Sequence, residues 1–399
     1  SSGGYGLDNF GINYGRIADN LPSPAAVSQL LQSLNITRVK LYDADPQVLT
    51  AFANTDVEFI VTVENAAVAK LTDESYAASW IQQWVQPHLP RTRITSIALG
   101  NEVLSSEDTA LWDALLPAMR SVHSSLVSLK LDQVISVTTT HAMSVLSDSY
   151  PPSAGSFRDE FVAYIKPILE FHSKTKSPFL INAYPYFAYK DADDDDNLLN
   201  YVLFEPNPGV LDSNTNLTYD NMLYAQIDAV YYAIELMGHD DIAVKVSETG
   251  WPSRGDADER GATPANAAKY NGNLLARVAS SEGTPARPEV PVDVRVFALF
   301  NEDLKPGPTS ERNYGLFYPN MSTVYDDNLG FSCRVACQLS ERSTCFFCCC
   351  SSCEILEMVV DAESSCCMSS SFSLELRTLA ACRQLVLMIM NEAGRLDEH

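Results

Sequence analysis

The first 332 residues of this 399-residue chain contain no cysteine; all ten lie at or after Cys333. The main body therefore needs no disulfide staple, and it holds neither a thiolate nucleophile nor a cysteine-based metal site. No run of 18 or more apolar residues occurs, and residues 1–10 carry neither a basic n-region nor an apolar h-region. A membrane span or signal peptide is thus not expected in the chain as written, with a previously cleaved leader left open. Positive charge is scarce: 27 Lys and Arg against 51 Asp and Glu leave a net charge of −24. That balance disfavours nucleic acid and anionic membranes as partners, whereas a neutral, polyhydroxylated ligand is not repelled. No Gly-x-Gly-x-x-Gly follows the first predicted strand, which weighs against a dinucleotide fold. His-Glu-x-x-His and Gly-x-Ser-x-Gly are missing as well, so metalloprotease and α/β-hydrolase readings lack their first residue. No cofactor and no metal are expected.

What remains is ordinary globular material, 46% apolar, 20% charged and 10% aromatic. Strands are predicted at residues 10–15, 38–42, 57–63, 94–99, 134–139, 179–184, 242–247 and 292–300, and helices at 24–34, 46–53, 73–85, 109–129, 157–173, 219–237 and 264–279. Eight strands alternating with helices over about 320 residues match a closed α/β barrel, the (β/α)₈ TIM barrel, better than an open doubly wound sheet. The strands are apolar on both faces, as parallel strands between a barrel core and a helix ring should be. Residues 1–9 read as an entry segment, 10–328 as the catalytic domain, and 329–399 as a separate tail. The tail lacks Lys, clusters cysteines at Cys345, Cys348, Cys349, Cys350 and Cys353, repeats the pair at Cys366 and Cys367, and holds only a six-residue apolar run at 385–390. That run is too short for a span or lipid-anchor signal, and the cysteine spacing suits no zinc site, so a poorly ordered tail is expected. The acidic run 193–196 reads as a solvated loop rather than a calcium site. Sequons at Asn35, Asn216 and Asn320 fall at element ends or loops that could carry glycans.

In such a barrel the chemistry sits at the carboxyl ends of the strands. The stretch V-S-E-T-G-W-P-S at 246–253 places Glu248 where the seventh strand gives way to a loop. Taken alone it fits equally a solvated strand-end glutamate. The fourth strand runs into Gly100-Asn101-Glu102, the sixth into Asn182-Ala183-Tyr184-Pro185-Tyr186, and the eighth into Phe300-Asn301-Glu302-Asp303-Leu304-Lys305. Strands four and seven are three steps apart in a ring of eight, so Glu102 and Glu248 can face each other across the mouth. Two facing carboxylates suit glycosidic cleavage, one protonated to donate to the leaving oxygen and one ionised to attack. The structural alternatives are a helix-capping Glu102 and a Glu248 in an ordinary salt bridge with Lys305. Tyr14, Tyr184, Tyr186, Phe187, Trp251 and Phe300 sit at the same ends, where sugar rings could stack or where rim packing could use them. A lone His141 at the end of strand five reads as structural.

Together, F-G-I-N-Y-G-R at 10–16, L-G-N-E at 99–102, N-A-Y-P-Y-F at 182–187, V-S-E-T-G-W-P-S at 246–253 and N-Y-G-L-F at 313–317 resemble the plant glucan endo-1,3-β-glucosidases of glycoside hydrolase family 17. The resemblance covers about residues 10–327. It implies a retaining endo-acting enzyme on β-1,3-glucan, with Glu102 as proton donor and Glu248 as nucleophile. It further implies a supporting cluster of Glu302, Lys305 and Glu311, with Lys305 favouring the charged form of Glu248. Cleft residues matched or suggested are Tyr14, Asn101, Asn182, Tyr184, Phe187, Trp251 and Phe300. A secreted monomer of the cell wall or vacuole is expected, with mixed-linkage glucan, transglycosylation or silent glucan binding as alternatives.

Overall fold

The computed structural model describes residues 8–192, 196–325, 344–349 and 354–359. The chain divides into two compact units, Ser1–Leu329 and Gly330–His399. In the first, eight parallel strands close into a barrel. They are β1 (Phe10–Tyr14), β2 (Arg38–Leu41), β3 (Glu58–Val63), β4 (Arg93–Asn101), β5 (Ser136–Ala142), β6 (Phe179–Asn182), β7 (Val244–Thr249) and β8 (Val294–Val296). Each pairs with its sequence neighbours, and β8 closes on β1 through Phe10↔Val294 and Ile12↔Val296. Helices α1 (Pro24–Ser33), α2 (Pro46–Ala51), α3 (Glu74–Trp84), α4 (Thr109–Ser128), α5 (Asp159–Thr175), α6 (Met222–Leu236) and α7 (Pro264–Ala279) fill the connections. Their starts follow the expected chemistry: Ser23, Asp45 and Thr263 cap helices with Pro in the first turn.

Inside the barrel the fill is layered. Ile60, Ala98 and Leu180 form an apolar cluster. At the amino-terminal end Asp293 is ringed by Arg38 at 2.8 Å, Lys245 at 3.0 Å and Arg295 at 3.3 Å. Burial pushes the Asp293 carboxyl up, but Arg295, Lys245 and Arg38 together hold it down to about 2.

Several predicted bounds move by two or three residues, and two strands change most. Strand β5 ends three residues later than expected, at Ala142, because Thr140, His141 and Ala142 go on pairing with Leu180, Ile181 and Asn182 of β6. The regular part of β8 spans only Val294–Val296, after which the chain stays at the barrel mouth through Phe297 N–H to Thr249 and Leu299 N–H to Asn13. His141 is buried, stacks on Phe179 at 4.6 Å, and is driven by burial to a pKa of about 3, the structural role expected of it. In the second unit Thr344–Cys349 pairs antiparallel with Glu354–Val359. The rest of the tail, with Cys350, Cys353, Cys366 and Cys367, and acidic residues 193–195 lie outside the described residues.

Candidate active site

Strand β2 carries Arg38 and Lys40 up the barrel interior, Tyr42 follows one residue past its end, and Lys40 and Tyr42 meet Glu248. The Lys40 ammonium is fully buried and lies 3.2 Å from Glu248 Oε1. The Tyr42 hydroxyl donates to the same oxygen at 2.5 Å, and the Tyr184 hydroxyl donates to Oε2 at 2.9 Å. Asn13 on β1 holds Tyr42 in turn, its Nδ2 donating to the Tyr42 hydroxyl at 3.1 Å and to the Ser247 carbonyl at 2.9 Å. Burial lowers the Lys40 pKa and the neighbouring Glu248 carboxylate pulls it back up.

A bulge in β7 makes this geometry available. Its register against β6 runs Val246↔Ile181 and then Glu248↔Asn182, leaving Ser247 as the extra residue. Successive strand residues ordinarily point to opposite faces, yet Ser247 and Glu248 both reach Lys40, at 3.0 and 3.2 Å. Ser247 Oγ also donates to Asn182 Oδ1 at 2.7 Å, and Asn182 Nδ2 donates to Glu102 Oε1 at 2.8 Å. A polar chain therefore connects the two acids through Lys40, Ser247 and Asn182.

Glu102 sits in a different setting. Its backbone is left-handed, φ 53° and ψ 38°, immediately before a short turn of helix at Val103–Ser105. For a residue with a side chain that conformation costs on the order of 1–3 kcal/mol, so the surroundings must hold it. Burial raises the Glu102 pKa above the usual carboxylic range, and the Glu248 carboxylate raises it further; Asn182 and Lys40 work against both.

Both acids open into one cavity of about 670 Å³, within the range of ligand sites. Arg16, Asn101, Asn182, Tyr184, Phe187, Glu302, Lys305, Glu311 and Tyr314 line it as well. Glu302 accepts from the Ile17 N–H at 2.9 Å, and burial raises its pKa. Gly15 is required beside it, since a Cβ there would lie 2.5 Å from the Glu302 carboxylate. Phe187 is 40% exposed, which leaves a ring face for a sugar.

Several expected residues are placed otherwise. Trp251 is wholly buried: its indole N–H donates to the Gly261 carbonyl at 2.8 Å, and its ring packs on Tyr186, centroids 5.1 Å apart. It has no free face for stacking. Tyr14 and Phe300 are likewise buried, packed edge to face at 6.2 Å, and neither lines the cavity. Lys305 pairs with Glu311 at 3.1 Å, so the cation bound to Glu248 is Lys40, which the sequence reading missed together with Tyr42 and Asn13. A signal for them exists: polar residues at 38, 40 and 42 recur at period two in a strand buried on both faces, so they must point into a polar interior.

Comparison with known proteins agrees with this architecture. The glycosyl hydrolases family 17 profile matches residues 10–329. The chain is 58% identical over 317 residues to glucan endo-1,3-beta-glucosidase 14 of Arabidopsis thaliana, covering 79% of this chain and 81% of that protein. Glucan endo-1,3-beta-glucosidase 11 of the same plant is 54% identical over 326 residues, covering 81% of this chain and 76% of that protein. Among solved structures, a β-1,3-glucanase and allergen of Cryptomeria japonica pollen superposes with a TM-score of 0.77 at 39% identity, over 81% of this chain and 99% of that one. With the profile covering the barrel from its first strand to its last, the chain belongs to glycosyl hydrolase family 17.

Proposed function

We propose that this chain is an endo-acting, retaining glycoside hydrolase that cleaves β-1,3-glucosidic bonds. The observation that carries the reading is the pairing of Glu102 and Glu248 in one cavity with opposite surroundings: Glu102 raised by burial, Glu248 bound by an ammonium and two hydroxyls. The similarity to β-1,3-glucanases supports the choice of glucan.

In the first step Glu248 attacks the anomeric carbon as the C–O bond to the leaving sugar breaks, and Glu102 gives its proton to the departing oxygen. Once Glu248 is esterified its negative charge is gone. That charge is the second contributor to the raised Glu102 pKa, so its loss favours ionised Glu102. The same residue can then take a proton from water as the water opens the ester. Tyr42, Tyr184 and Lys40 hold Glu248 before attack and stabilise it again as it leaves. Glu302, Lys305 and Glu311 act as the supporting charge cluster of the mouth, and Phe187, Asn101 and Asn182 face the bound sugars. Retention calls for carboxyls roughly 5–5.5 Å apart.

The substrate assignment is tested by product analysis on laminarin beside mixed-linkage β-1,3-1,4-glucan. Rapid release of short β-1,3 oligosaccharides from laminarin supports it; preferential attack on the mixed-linkage polymer, chain transfer in place of hydrolysis, or glucan binding without cleavage overturns it. The enzyme is taken to act as a monomer. The sequon asparagines Asn35, Asn216 and Asn320 are all exposed, in keeping with a secreted, glycan-bearing protein of the cell wall or vacuole.

A further inference from the structure

Asn65 stands just beyond the end of β3 and does not line the cavity, yet it holds the peptide that aims Glu102. The β3–β4 ladder runs to Val63↔Leu99 and stops there, because the chain after β3 turns into the short helix Asn65–Val68. Strand β4 continues for two more residues, to Asn101. The peptide groups of that overhang lack backbone partners on the β3 side. The Asn65 carboxamide supplies them: Oδ1 accepts the Asn101 N–H at 2.7 Å, and Nδ2 donates to the Asn101 carbonyl at 3.1 Å. An amide side chain offers the same donor and acceptor as a backbone peptide, so Asn65 extends the ladder by one rung.

The rung matters because of what flanks it. Gly100 has φ +67° and Glu102 has φ 53°, so the Asn101 peptide sits between two left-handed residues. A Cβ at Gly100 would lie 2.8 Å from Asn65 Oδ1, so glycine there leaves space for the carboxamide. On the opposite side the Glu102 N–H donates to the Thr140 carbonyl of β5 at 2.9 Å. Asn65 and Thr140 thus clamp the turn from both neighbouring strands.

We infer that Asn65 is a positioning residue for Glu102, fixing through the Asn101 peptide the direction from which the proton reaches the leaving oxygen. The inference rests on the reading of Glu102 as the acid. With the carboxamide removed, the turn can relax and carry the Glu102 carboxyl away from the glycosidic oxygen, while the Glu248 contacts, all made from other strands, stay in place.

The test compares two leaving groups in the full chain. Laminarin needs a proton on its leaving oxygen; a 2,4-dinitrophenyl β-laminarioligosaccharide does not. For Asn65→Ala, kcat/KM on laminarin should fall on the order of 10²-fold, the scale of a misplacement of about 1 Å. On the dinitrophenyl substrate kcat/KM should be essentially unchanged. Asn65→Asp keeps the acceptor for the Asn101 N–H and should lose less; if the alanine variant does not fold, it carries the same comparison. Equal losses on both substrates would mean that Asn65 merely supports the fold, and undiminished laminarin activity would mean that the clamp is idle; either overturns the inference. Glu102→Ala separates the two levels. A selective loss on laminarin upholds Glu102 as the acid, whereas an equal loss, or none, removes that reading and this inference with it.

Discussion

Replacing Lys40 by methionine removes one full charge from the centre of the site with little change in volume. The ammonium lies 3.2 Å from Glu248 Oε1 and is fully buried. At an effective dielectric constant of about 20, two unit charges at that distance attract by about 5 kcal/mol. Desolvation of both ions offsets much of that attraction, but removing one partner leaves the other charged and buried, which typically costs about 3–5 kcal/mol. Glu248 keeps the hydroxyls of Tyr42 and Tyr184 in Lys40→Met, so the lower figure is the better expectation. About 3 kcal/mol corresponds to roughly 10² in rate. kcat/KM on laminarin should fall accordingly, with Lys40→Arg retaining more activity than Lys40→Met. Full activity in a folded Lys40→Met protein would rule out this role for the buried ammonium.

Four further expectations follow from individual environments. Because burial and Glu248 raise Glu102, kcat/KM should stay high above the ordinary carboxylic range and decline as rising pH deprotonates Glu102; in Glu102→Gln that alkaline limb should vanish along with most turnover of laminarin. Phe187→Ala should raise KM by a few-fold, in line with about 0.5–1.5 kcal/mol for a ring contact, whereas Trp251→Ala should cost about 3–5 kcal/mol of stability in a melt without a selective change in KM. Asp293 is depressed to about 2 in the folded chain against about 3.9 when unfolded. Its contribution of about 2–3 kcal/mol is present above the unfolded value and is lost as pH falls through the folded one. Wild type should therefore lose stability between about pH 4 and pH 2 more steeply than Asp293→Asn.

The barrel and its two acids were legible because they depend on local pattern. Eight apolar runs separated by capped helices declare themselves in the sequence, and Glu102 and Glu248 stand where such strands end. Register was harder to read. The Ser247 bulge, which lets two consecutive residues face the interior, leaves no compositional mark in V-S-E-T-G-W. Without it Lys40 could not meet both Ser247 and Glu248, and Lys305 looked like the nearer cation because only chain order was visible. Trp251 misled for a related reason: an aromatic after a strand end is a rim residue or a packing residue according to how the loop folds back, and here that loop brings the Gly261 carbonyl to the indole nitrogen. Asn65 carries no motif of its own. Its meaning appears only when the lengths of β3 and β4 are compared side by side.

In the proposed mechanism Glu248 becomes covalently linked to sugar while Glu102 handles the proton. Incubation with a 2-deoxy-2-fluoro β-laminaribiosyl fluoride, which slows hydrolysis of the glycosyl-enzyme, followed by peptide mass spectrometry, tests it most directly. A single glycosyl adduct on the peptide carrying Glu248 is expected. An adduct on another carboxylate, or rapid turnover to inverted product with no adduct at all, would contradict it.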